Sequence, residues 1–168
     1  MSSDAPADVT IEVANADDAD AMADMWVELA ADQRRHGSRL RADANRAAIH
    51  ETMLRHGVTD TAFVARRDGE RVGFITFGAS EGRYEQDTVR GTVHNVYVRE
   101  GARGMGVGSA LLDAAESALR SMGVGTVTLE AMAENDAARS FYSRHGYTPH
   151  RVELEKPIND DPERSDEA

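Results

Sequence analysis

The stretch "REGARGMGVGSALLDAAESAL", residues 99–119, constrains this chain more than any other. Four glycines within eight residues, Gly101 to Gly108, lead directly into a segment whose Leu111, Leu112, Ala115 and Leu119 recur at helical spacing. A pliable turn feeding a helix places free backbone amides and the positive end of the helix dipole at one point, the usual way for a backbone to hold a phosphate. The preceding residues, "GTVHNVYV" at 91–98, alternate as a strand. Strand, glycine turn and helix therefore form half of a βαβ unit, and the next strand, "TVTLEAM" at 126–132, completes it.

The remaining elements are legible from pattern. "VTIEV" at 9–13 reads as a strand; Asn15 or Asp17 then starts a helix with Met22, Trp26 and Leu29 on one face. A second helix runs from the cap Asp43 to Gly57, a candidate C′ residue. Asp68-Gly69, between two β-rich runs, marks a hairpin. A short helix, "ENDAARSFYSRHG", is closed by Gly146, and "YTPHRVELEK" reads as a final strand. The order predicts a mixed α/β sheet, antiparallel at first and parallel around the glycine turn, with flanking helices. At 168 residues the chain fits one domain, expected over 9–157 between a flexible N-terminus, 1–8, and an acidic flexible tail, 158–168.

Composition excludes several function classes. With no cysteine, disulfides, zinc-thiolate sites and cysteine nucleophiles are ruled out. The five histidines other than His94, at 36, 50, 56, 145 and 150, lack metal-ligand spacing and are expected on surfaces, so no metal is expected. A net charge of −11 argues against nucleic acid as a partner. The absence of a long apolar run or a signal-like start argues against a membrane and leads to a cytoplasmic expectation. The basic residues comprise 18 Arg and only Lys156, against 30 Asp and Glu. Such a surface resembles that of halophilic proteins, and GC-rich codon usage accounts for the Arg excess equally well. Arg34, Arg35, Arg39 and Arg41, between the first two helices, either recognise an acidic acceptor or balance an acidic chain.

Three phosphate-binding motifs compete for the turn. A P-loop needs Lys after its last glycine, where Val107 stands, so ATP or GTP hydrolysis is set aside. A dinucleotide fingerprint would use Gly104 and Gly106, with Ser109 in the third place, but three antiparallel-looking strands precede it. The third form, R/Q-x-x-G-x-G/A, fits Arg103-Gly104-Met105-Gly106-Val107-Gly108 without a gap. With "NVYV" before it and "ENDAARSFYSRHGY" after it, the chain resembles the GNAT superfamily of acetyl-CoA-dependent N-acetyltransferases over roughly residues 9–155, most clearly from 91 to 148.

That resemblance implies a central, splayed parallel strand pair holding acetyl-CoA, with its pantetheine arm along Val96, Tyr97 and Val98 and its pyrophosphate on Arg103, Gly104, Met105, Gly106, Val107 and Gly108. Asn135 and Ala138 match the family's pantetheine wall, and Tyr142 its frequent tyrosine acid. Glu130 is the first candidate base, at the end of a strand expected to be central and spaced from Tyr142 as in the ribosomal-protein alanine N-acetyltransferases. His94, whose ring titrates near neutrality, is the second. The implied activity is acetyl transfer to a primary amine, such as a protein N-terminus, a lysine or a small amine, by direct attack in a ternary complex. A non-catalytic acetyl-CoA sensor is the alternative. A homodimer is expected by family analogy alone.

Overall fold

A computed structural model describes residues 5–80 and 84–159. Of the ends expected to be flexible, residues 1–4 and 160–168 lie outside the described residues. Five strands and four α-helices follow one another as β1 (Val9–Val13), α1 (Ala19–Arg34), α2 (Arg46–Thr59), β2 (Ala62–Arg67), β3 (Glu70–Ala79), β4 (Arg90–Val98), α3 (Val107–Ser121), β5 (Thr126–Thr128) and α4 (Asp136–Arg144). The sheet order is β1-β2-β3-β4-β5. Every neighbouring pair is antiparallel except β4 and β5, which run parallel. This is the mixed, mostly antiparallel sheet expected from the element order.

Each sheet face buries one cluster. Leu111, Leu112, Ala115 and Leu119 of α3 pack on Ile75, Phe77 and Val93. Met22, Met25 and Trp26 of α1, with Met53 of α2, pack on Val64 and Phe74 of the opposite face. β3 is buried on both faces because helices cover both sides. Asp68 and Gly69 both adopt positive φ, 52° and 78°, as a two-residue hairpin turn requires. No helix among the described residues is long and apolar enough to cross a membrane.

Three expectations about elements are corrected. Gly57 does not cap α2; it lies within the helix, and a Cβ there would come within 2.8 Å of the Asn15 carbonyl carbon. Its role is close approach of α2 to the turn before α1, and Asp60, at φ 56°, takes the left-handed cap position. The final strand is absent: residues 147–156 form no ladder, with Val152 78 % and Leu154 88 % exposed. Alternation marks a segment able to form a strand, but a strand also needs an edge to pair with, and Pro149 removes one donor near its start. In consequence β5 is the sheet's outer strand, three residues long, and not the central strand expected before Glu130.

The start of α1 carries a polar network invisible to pattern reading. Asp18 is 1 % exposed, and its carboxylate accepts hydrogen bonds from the Asn15 backbone N–H at 2.9 Å, Arg66 at 2.8 Å and Arg71 at 2.6 Å. The buried charge is thereby compensated, as burial of a carboxylate demands.

Candidate active site

The site is built around β4. Thr76 pairs with Asn95 and Phe77 with Val93, leaving His94 as the extra residue of a β-bulge. Such bulges bend a strand and re-aim the side chain they carry. Asn95 reinforces the bulge by donating from Nδ2 to the hydroxyl of the buried Thr76 at 3.0 Å. On its other edge β4 pairs with β5 only from Arg90 to Thr92. Beyond Thr92 and Thr128 the two parallel strands part, and from Val93 onward that edge of β4 has no strand partner among the described residues.

Into this opening project the three sequence-derived reactive candidates. His94, Glu130 and Tyr142 line one cleft together with Leu29, Gln33, Val93, Asn95, Val96 and Leu129. Its cavity volume of about 30 Å³ holds one or two waters. Tyr142 comes from α4, where its ring meets Phe141 and Tyr147 edge-on at 5.4 and 6.0 Å. Burial pushes its hydroxyl up to about 12. Burial also lowers His94 below the usual imidazole value, although part of its ring remains open to solvent. Glu130 stands exposed at the rim, two residues beyond β5. Leu29 and Gln33 were not among the candidates; α1 brings them in from far away in the chain, and Leu29 reads in sequence as part of a core stripe.

A second cleft, of about 170 Å³, opens farther along β4 and is lined by Glu28, Asp32, Arg35, Tyr97, Glu100 and Arg103. Arg103 lies over the Tyr97 ring at 5.4 Å and donates from Nε to the Val98 carbonyl at 2.8 Å. Of the three residues expected to pair with a pantetheine arm, Val98 therefore has its carbonyl already engaged. Burial, followed by the carboxylate of Glu28, raises the Tyr97 hydroxyl.

The turn before α3 has the expected character. Gly104 and Gly106 adopt φ of 76° and 86°, open to glycine and unfavourable to other residues. The amides from Gly104 to Ser109 donate to no backbone carbonyl among the described residues, which leaves them free at the helix N-terminus. A Cβ at Gly108 would touch the Phe141 ring of α4 at 3.4 Å, so this position also lies where α3 packs against α4. Val107 is buried and Met105 packs against the core, so each has only its backbone to offer. Asn135 and Ala138 are joined directly, the Asn135 side chain accepting from the Ala138 N–H at 3.1 Å as the N-cap of α4.

Two histidines expected on the surface are half-buried and hydrogen-bonded. His145 Nε2 is 2.9 Å from Ser109 Oγ, and His56 Nδ1 is 2.7 Å from Thr61 Oγ1. Among the described residues no three His, Asp or Glu side chains are grouped so as to hold a metal ion. Three of the four arginines from the end of α1 onward are engaged within the chain: Arg34 with the Leu40 carbonyl, Arg35 with Asp32, and Arg39 with Glu155 through two bonds of 2.7 Å. That favours charge balance over recognition of an acidic acceptor.

The splayed sheet beside an amide-rich turn, with ionisable groups at the fork, matches the architecture the sequence resemblance implies. The profile of the acetyltransferase (GNAT) family matches residues 22–147, and the chain belongs to that family. The co-substrate of that family is acetyl-CoA. Among curated relatives, the mycothiol acetyltransferase of Streptomyces avermitilis is 38% identical over 94 residues, covering 55% of this chain and 28% of that protein. The mycothiol acetyltransferase of Amycolatopsis mediterranei is 33% identical over 119 residues, 69% of this chain and 36% of its own length. The chain thus spans about a third of the length of these relatives. Among solved structures, a GCN5-related N-acetyltransferase from Ralstonia eutropha superposes with a TM-score of 0.72 at 23% identity, covering 89% of this chain and 98% of that one.

Proposed function

We propose that the chain transfers acetyl from acetyl-CoA to a primary amine by direct attack within a ternary complex. The observation that carries this reading is the convergence of Glu130, His94 and Tyr142 on one cleft at the fork of β4 and β5, on the strand that leads into the turn whose amides, 104–109, donate to no backbone carbonyl among the described residues. The residues present suit acetyl-CoA. The turn and α3 N-terminus offer donors to a pyrophosphate, and the unpaired edge of β4 offers the backbone groups of Val96 and the N–H of Val98 to a pantetheine arm, whereas Tyr97 turns its own toward β3, in register with Arg99, whose N–H bonds the Val72 carbonyl.

The acceptor amine must first lose a proton, for which Glu130 is the first candidate and His94 the second. The amine nitrogen then bonds to the acetyl carbon as the carbon–sulfur bond breaks. The departing thiolate, whose acid has a pKa of about 8.5, takes a proton from Tyr142, which burial keeps protonated well above neutrality, and the second proton of the attacking nitrogen, lost as the amide forms, restores the tyrosine. A thiolate released into a cleft of this size has that hydroxyl as its natural donor.

A small amine, a protein N-terminus and a lysine side chain are the acceptors within the proposal. The test is coenzyme A release over a panel of small amines, peptides and lysine-containing substrates. Turnover on at least one amine is expected; tight acetyl-CoA binding with no turnover on any would replace this reading with that of a sensor.

A further inference from the structure

His56, in the last turns of α2, has no part in the steps above, yet it stands directly behind His94. Their ring centroids are 6.0 Å apart at an interplanar angle of 47°, a separation that one water can bridge. The His94 ring reaches across Gly78, its Nε2 3.5 Å from where a Cβ would stand. A Cβ at 78 would stand in ordinary contact with that ring.

The hydrogen-bond chain beyond His56 determines its tautomer. Thr59 Oγ1 donates to the Arg55 carbonyl at 2.9 Å, which uses its single proton. Thr61 Oγ1, 2.7 Å from Thr59 Oγ1, must therefore be the donor between the two hydroxyls. With its own proton so committed, Thr61 can only accept at its 2.7 Å contact with His56 Nδ1. Nδ1 thus carries the hydrogen, and Nε2 of the neutral ring keeps a free lone pair. Burial first, then His94 and Arg55, lowers His56, so the ring is neutral and able to accept at ordinary pH. The charged and titratable groups facing the pair are Arg55 beside His56, and Glu130 and Tyr142 across the cleft from His94.

We propose that His56 is the exit for the proton lost by the acceptor amine, a relay residue acting through His94. His94 accepts the ammonium proton on one ring nitrogen and passes a proton from the other, through the bridging water, to Nε2 of His56. The resulting imidazolium gives a proton to solvent at the exposed end of α2. No oxidant or further reactant is involved, and the two rings carry one extra proton between them at a time. The inference rests on the N-acetyltransferase reading with His94, the second of its two candidate bases, taking the amine's proton, and adds a route by which that proton leaves the site.

The test uses the whole chain with acetyl-CoA and whichever amine is turned over. His56→Ala is expected to lower kcat about tenfold at neutral pH with KM for acetyl-CoA unchanged. Its rate should become dependent on buffer concentration and recover with added imidazole, whereas the wild-type rate should be insensitive to both. His56→Gln retains a donor for Thr61 but cannot carry a proton, so it should fold as the wild type does and show the same loss. Nitrogen-15 NMR of labelled histidines should find Nδ1 of His56 protonated. Wild-type kcat in both variants, a loss that neither buffer nor imidazole relieves, or the opposite tautomer would overturn the route. A wild type that turns over no amine would overturn the N-acetyltransferase reading, and the route with it, before any variant is made.

Discussion

Tyr142 illustrates how one environment sets one group's chemistry. Its hydroxyl is raised by burial alone, with no ion pair or hydrogen bond contributing, so it stays protonated and available as a donor. Tyr142→Phe is expected to lower kcat about a hundredfold while leaving acetyl-CoA affinity nearly unchanged; equal rates in a coenzyme A release assay would remove Tyr142 from the reaction. The same shift has a consequence for stability. A tyrosine whose folded pKa lies above its unfolded value of about 10 stabilises the fold fully below that pH and ceases to do so as pH rises through the folded value. Tyr147 is raised as well, by burial first and then by Glu116. The denaturation midpoint is therefore expected to be flat up to about pH 10 and to fall toward pH 12, with tyrosinate absorbance rising in step with unfolding. Tyr142 and Glu130 could be singled out in the sequence because their spacing resembles a family pattern, and His94 because it lies in the strand before the turn and carries a ring that titrates near neutrality. Leu29, Gln33 and the buried Asp18 were not, since what each touches depends on where α1 lies.

At the scale of elements, the glycine turn and α3 act together. Gly106 holds a left-handed conformation at the helix start. Gly106→Asp would strain that backbone by about 1–2 kcal/mol and set a carboxylate among the amides proposed for the pyrophosphate. Acetyl-CoA binding measured by calorimetry should be lost in a variant that still folds; unchanged affinity would displace the proposed phosphate site. The entry to α1 depends on Asp18 in a different way. Removing its carboxylate leaves Arg66 and Arg71, each about a quarter exposed, without their shared partner. Asp18→Ala is expected to cost about 3 kcal/mol in urea denaturation, and a cost under about 0.5 kcal/mol would show the network to be incidental. Pattern reading located the cores of these elements and failed at their ends. Gly57 looked like a cap because glycine commonly ends helices, whereas here its missing Cβ admits the Asn15 backbone.

For the whole molecule, the dominant quantity is a net charge of −11. We propose that this charge is an adaptation to concentrated salt, which would screen the mutual repulsion of 30 carboxylates. The melting temperature is then expected to rise from low to molar KCl; a constant value would leave codon usage as the reason for the arginine excess. Specific pairs such as Arg39–Glu155, both partners exposed, would weaken over the same range and so act in the opposite direction.

The sequence by itself determined the order of the first nine elements, the mixed sheet, the glycine-rich turn that opens α3 and the family. These follow from local periodicity, from glycine's backbone freedom and from short motifs whose parts are near each other in the chain. Only the tertiary structure decided that His94 sits on a bulge, that β5 is the outer strand, that residues 147–156 form no strand with it, and that α1 supplies Leu29 and Gln33 to the cleft. Each depends on contacts between residues distant in sequence, and such contacts are set by packing and pairing across the sheet, which no local pattern encodes.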